Sequence, residues 1–175
     1  PDPHIWFDAR LWAQCGQGLA HFLAEACPEG REHFFAQAKD LAARCEALHG
    51  WVLSQMEQIP KAQRVLITSH DAFNYLGRAY GVEVVGVQGI STSAQAGMVE
   101  MTAVADLIRQ RRLPAIFVEN SVSAARIQRI AADTQVRIGG ELYSDSLGAA
   151  TPEGPPGIDT WEGMMRYNIG LIVAG

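Results

Sequence analysis

Val65-Leu66-Ile67-Thr68-Ser69-His70-Asp71 opens the part of the chain whose reading decides the fold. Its apolar residues run together with little polar alternation, the mark of a strand buried on both faces. The same pattern returns at Glu83-Val84-Val85-Gly86-Val87, at Ala115-Ile116-Phe117-Val118-Glu119 and at Val136-Arg137-Ile138-Gly139. Helical stretches fall between them, at about Asp71–Tyr80, Gln95–Arg112 and Ser123–Asp133. A β-α-β-α-β-α-β order predicts an α/β fold with a four-stranded parallel sheet flanked by helices. A Gly- and Pro-rich loop, Asp145 to Thr160, leads to a last helix from Thr160 to about Val173.

Upstream of this unit the period changes. Phe34, Ala38, Leu41, Cys45, Leu48 and Val52 recur at helical steps, which predicts one helix from about Arg31 to Glu57, closed by Pro60. At 1.5 Å per residue it would be ~40 Å long, more than a compact unit of this size needs. It reads as a strut between lobes. Before it, Asp8 caps a helix over Ala9–Ala26, ended by Pro28. The opening Pro1-Asp2-Pro3-His4, without an initiator methionine, reads as a cut from a larger parent.

The chain has 175 residues and a formal charge of −5, from 14 Lys and Arg against 19 Asp and Glu. That balance argues against a nucleic-acid partner, which needs clustered cations. No run of ~18 apolar residues suggests a membrane span. Cys15, Cys27 and Cys45 lack the C-x-x-C spacing of a zinc or redox site and read as small apolar filler on helix faces.

Ligands of open parallel sheets bind beyond the carboxyl ends of the strands. Those ends carry His70, Glu119 and Asp145, and His4 stands by itself near the start. Imidazoles with carboxylates are the donors of a Zn²⁺, Mn²⁺ or Fe²⁺ site. By spacing alone His70 serves equally as a helix cap, Asp145 as a loop cap and Glu119 as the partner of an arginine. His21, His33 and His49 have no partner at helical spacing and read as solvated. Ser69, His70 and Asp71 are adjacent and cannot face one another as a relay. Phosphate-loop, nucleophile-elbow and dinucleotide fingerprints are missing from the sequence.

Five segments, in order, resemble one family. Asp2-Pro3-His4-Ile5-Trp6-Phe7-Asp8, Thr68-Ser69-His70-Asp71-Ala72-Phe73, Gln88-Gly89-Ile90-Ser91-Thr92, Leu113-Pro114-Ala115-Ile116-Phe117-Val118-Glu119 and Tyr143-Ser144-Asp145-Ser146-Leu147-Gly148 are similar to the motifs of the metal-specific solute-binding proteins of ABC importers, in their TroA-like zinc, manganese or iron branch. The resemblance implies two α/β lobes joined by one long helix, with the metal held between them. Residues 1–28 become the truncated end of the N-terminal lobe, 29–58 the linking helix and 61–175 the C-terminal lobe. It implies His4, His70 and Asp145 as metal ligands, with Glu119 supporting them from behind or capping a helix. The remaining ligand, a histidine of the N-terminal lobe, has no counterpart here. Asn74 stands where relatives often carry Gly, Gln95 where an acid is common, and the Pro152–Gly157 loop is longer and richer in proline than usual.

The function so implied is capture of Zn, Mn or Fe outside the cytoplasmic membrane, at its periplasmic or extracellular face, and delivery to an ABC permease. A non-enzyme is expected. The alternatives are a zinc hydrolase with Glu119 as its base, and a metal-binding surface adhesin. His4, so near a chain end, is expected to fray. Uncovered faces of Trp6, Leu11, Trp12 and Phe22 are expected to drive self-association.

Overall fold

Asp8 begins the first helix as the sequence requires. Its carboxylate accepts from the backbone N–H groups of Arg10 and Leu11, which satisfies two of the orphan donors of α1 (Ala9–Ala26). A 3-10 turn at Pro28–Gly30 reverses the chain into α2 (Arg31–Met56), whose 26 residues span about 39 Å. The first half of α2 packs chiefly on α1, while Leu48, Val52 and Met56 near its end enter the main core. The computed structural model describes residues 1–88, 98–151 and 155–175. The Gly89–Thr92 part of the third motif, Gln95, and Pro152–Gly154 of the proline-rich loop lie outside the described residues.

The α/β alternation follows as expected: β1 (Val65–His70), α3 (Asn74–Tyr80), β2 (Glu83–Gln88), α4 (Met98–Arg111), β3 (Ala115–Glu119), α5 (Ala125–Thr134), β4 (Arg137–Leu142) and α6 (Trp161–Ala174). All four strands are parallel. Ladder bonds pair Val65 with Glu83 and Leu66 with Val84 in one pair, Ala115 with Arg137 and Ile116 with Ile138 in the other. Among the described residues the ladders join β1 to β2 and β3 to β4, and β1 and β3 lie side by side between them. At their carboxyl ends the two pairs are bridged by a side chain: Glu119 Oε1 accepts from the His70 backbone N–H at 2.8 Å.

Every residue of β1 is buried, so alternate side chains serve two cores. Leu66 and Phe117 join Phe7, Leu48, Phe73 and Met165 on one face. Val65, Ile67 and Ile116 join Ile108, Ile127 and Ile130 of α4 and α5 on the other. This is the environment that unalternated strands call for. Gly86 is required where it stands: a Cβ there would come within 2.6 Å of the Asp71 backbone nitrogen. The close approach seats the turn after His70 directly on β2.

The three cysteines are all free, and only Cys45 is buried filler. Cys15 is exposed and Cys27 half-buried, just past the end of α1. Among the described residues no helix is long and apolar enough to cross a membrane.

Candidate metal centre

His70 ends β1 with its side chain almost wholly enclosed, 1% exposed. Behind it, from the end of β3, comes Glu119, whose carboxylate is equally buried. One carboxylate oxygen accepts from the His70 backbone and the other lies 2.7 Å from Nδ1, close but poorly aligned for a directed hydrogen bond. Burial pushes the imidazolium toward losing its proton. The carboxylate of Glu119, helped by Asp145 and Asp71, outweighs that and holds the His70 pKa above its ordinary value.

His4 is seated by a different device. Its backbone N–H and its Nδ1 both meet Asp2 Oδ1, at 2.9 and 2.7 Å. The following turn, Ile5–Phe7, buries Phe7 against Phe73 with ring centroids 4.5 Å apart. Trp6 Nε1 donates to the Ser144 carbonyl, and Trp161 Nε1 donates to the Trp6 carbonyl. Two long-range bonds thus pin the segment that the sequence reading expected to fray, and His4 is 3% exposed.

Asp145 completes the group from the loop after β4. That loop is held at its root by Asn168, fully buried, whose amide oxygen accepts from the Tyr143 N–H and whose amide nitrogen donates to the Tyr143 carbonyl. One oxygen of Asp145 lies 3.2 Å from His4 Nε2 and the other 3.3 Å from His70 Nε2. The donor atoms of His4, His70 and Asp145 all lie within 4.8 Å of one another. Four ligands at ~2.0–2.1 Å around a tetrahedral ion stand about 3.3 Å apart, so the spacing suits a transition-metal cation. Both rings turn Nε2 inward and Nδ1 toward a carboxylate, the arrangement that orients a histidine ligand and makes it a better donor.

The three expected ligands therefore meet, with Glu119 behind one of them. Asp2 is the residue that sequence reasoning passed over: it sits in the quoted first motif, two residues before His4, at the spacing of a side chain that folds back on its own turn. His21 and His33 are exposed as expected. His49 is not. It is 6% exposed, between α2 and α3, with its ring 5.2 Å from that of Tyr80. The open side of the group adjoins a groove of about 350 Å³ lined by Trp6, Trp12, Trp161, Leu147 and Met164. Trp12 packs against Trp161 there, so the large apolar side chains left most exposed on α1 are Leu19 and Phe22, a smaller face than the sequence suggested.

A family model described as "ZnuA: Zinc-uptake complex component A periplasmic" matches residues 1–175. The zinc-binding protein TroA of Treponema pallidum is 38% identical over 179 residues, which cover 99% of this chain and 56% of that protein. The manganese-binding lipoprotein MntA of Bacillus subtilis is 37% identical, over 98% of this chain and 56% of its own length. The solved structure of the periplasmic zinc-binding protein TroA superposes with a TM-score of 0.89 at 37% identity, over 99% of this chain and 63% of that one. The chain spans about half the length of the curated relatives it matches. With the whole sequence matched and the fold shared, the chain belongs to the ZnuA family of metal-binding solute-binding proteins.

Proposed function

We propose that the protein carrying this chain captures a divalent transition metal, Zn, Mn or Fe, outside the cytoplasmic membrane and delivers it to the permease of an ABC importer. The observation that carries this reading is the meeting of two buried imidazole Nε2 atoms with one carboxylate, on a chain of this family. The metal is cargo. His4 and His70 offer neutral nitrogen donors, Asp145 adds a negative charge, and no thiolate takes part, so the set binds firmly without the softness that would prevent release. Asp145 is the ligand that reaches water, its side chain 37% exposed, and is the natural point of entry and exit.

A transport role, not an enzymatic one, suits the carboxylates. A hydrolase would need a base free to take a proton from a metal-bound water. Glu119 has one oxygen engaged by the His70 N–H and the other turned to the His70 ring, away from the metal-facing Nε2. The proposed division of the chain is residues 1–28 as the end of one lobe, 29–58 as the linking helix and 61–175 as a second lobe. The packing of α2 supports it, since the first half leans on α1 and the last turns enter the α/β core.

Competition titration of the full chain against a chromophoric chelator, with Zn²⁺ and separately with Mn²⁺, tests the proposal. One ion bound per chain is expected, with binding lost in Asp145→Asn. Unchanged affinity in that variant would refute the assignment of the site.

A further inference from the structure

The carboxylate beside His4 is met by a side chain from the start of α3. We infer that Asn74 is a positioning residue, acting through Asp2 to hold the His4 ring with its Nε2 lone pair on the metal; the inference rests on the metal-capture reading above. Asp2 Oδ1 already takes both the N–H and the Nδ1 of His4. What fixes the plane of that carboxylate is its other oxygen, Oδ2, which accepts from Asn74 Nδ2 at 3.3 Å. An ionised carboxylate only accepts, so the face Asn74 turns to it must be the NH₂.

Asn74 is the first residue of α3 and stands four residues after His70. The contacts run from the His70 segment through Asn74 and Asp2 to the His4 ring, across 72 residues of sequence. The Phe7–Phe73 packing runs beside them and holds the main chain, but an apolar contact has no say in how the imidazole carries its proton. A neutral imidazole has two tautomers, and only the one protonated at Nδ1 leaves Nε2 free to ligate. Asp2 favours that tautomer by accepting from Nδ1, and with Nε2 on the metal, where Asp145 is a ligand beside it, the same bond sets the plane of the ring. Asn74 keeps the Asp2 carboxylate in place.

The test follows the Nδ1–Asp2 bond directly. Long-range ¹H–¹⁵N correlation spectra of the Zn²⁺-loaded full chain report the His4 Nδ1–H and, through its proton shift, its hydrogen bond to Asp2, and Zn²⁺ competition titration reports affinity. The native chain should show a downfield, hydrogen-bonded Nδ1–H. Asn74→Ala should move that proton signal upfield and weaken Zn²⁺ binding several-fold, less than the ~10–100-fold expected for removing a ligand's direct partner. Asn74→Asp, equal in shape, should do worse than Asn74→Ala, because it sets a second carboxylate against Asp2; it also serves as the test should Asn74→Ala fail to fold. An unchanged His4 Nδ1–H signal in both variants overturns the inference, whatever happens to the melting temperature. His4→Ala separates the two levels: if it binds Zn²⁺ like the native chain, the metal-capture reading has failed, and if it alone abolishes binding, only the role of Asn74 has.

Discussion

His70 and His49 are exposed to water by 1% and 6%, and the fold treats the two rings in opposite ways. Behind His70 stands the buried carboxylate of Glu119, 2.7 Å from Nδ1, and before it the carboxylate of Asp145, 3.3 Å from Nε2. Among the described residues no hydrogen bond reaches His49 Nδ1, the ring of Tyr80 packs on it, and the carboxylates of Glu46 and Asp8 act on it only through their charge. The His70 pKa rises because its carboxylates outweigh burial. The His49 pKa falls because burial, joined by the charge of Arg10, outweighs Glu46 and Asp8. Burial without a carboxylate in contact favours the neutral imidazole. Burial between two carboxylates favours positive charge there, the setting that the proposed metal site uses.

That contrast is broken most directly at the two histidines themselves. On the proposed assignment His70→Ala removes a metal bond and should cost more in affinity than the ~10–100-fold of losing a supporting partner. His49→Gln should leave metal affinity at the native level, although both rings are buried. Calorimetry with Zn²⁺ on the two variants decides it, and a comparable loss at His49 would mean that burial, not the carboxylate frame, makes the site.

A smaller effect is expected one step back. Glu119→Gln keeps the shape and can still accept from the His70 N–H, but it removes the charge facing Nδ1. The expected loss is ~10–100-fold in affinity with the fold retained. A loss as large as that of His70→Ala would place Glu119 among the metal's own ligands.

The same contrast marks how far the sequence can be read. The strands were legible because β1 and its neighbours are buried on both faces and need no polar alternation. His70, Glu119 and Asp145 could be placed on one rim because a parallel sheet sends all its carboxyl ends the same way. That Glu119 stands behind His70 was not legible, since the contact joins residues 49 apart and depends on β1 lying beside β3. The burial of His4 was hidden for the same reason: the bonds through Trp6 span 138 and 155 residues. His49 was misread because α2 buries more than one stripe near its end, where α3 and the start of α1 close over the helix face that spacing alone assigns to solvent. Asp2 was within reach, two residues from His4, and needed only the question of which side chain could fold back on that ring.

The smallest effect expected is one of pH, and it isolates His49. In the unfolded chain a histidine takes up its proton near pH ~6.5. In the folded chain His49 does so only at lower pH, being buried and faced by Arg10 from α1, with Glu46 of α2 and Asp8 only partly offsetting, while Tyr80 of α3 covers the ring. Between those two values the unfolded state binds more protons than the native one, so the contribution of His49 to stability is present above pH ~6.5 and is lost as the pH falls through the folded value. The stability that His49 contributes should therefore shrink on mild acidification, and His49→Gln, which cannot titrate, should lack that loss. His70, with its raised pKa, slopes the other way, which is why the informative quantity is the difference between native chain and variant. Urea unfolding of both metal-free proteins, from about pH 7.5 to about pH 5.5, measures that difference. Curves that stay parallel over this interval would show that His49 keeps an ordinary pKa despite its burial, and the two histidines would then differ only in their distance from a carboxylate.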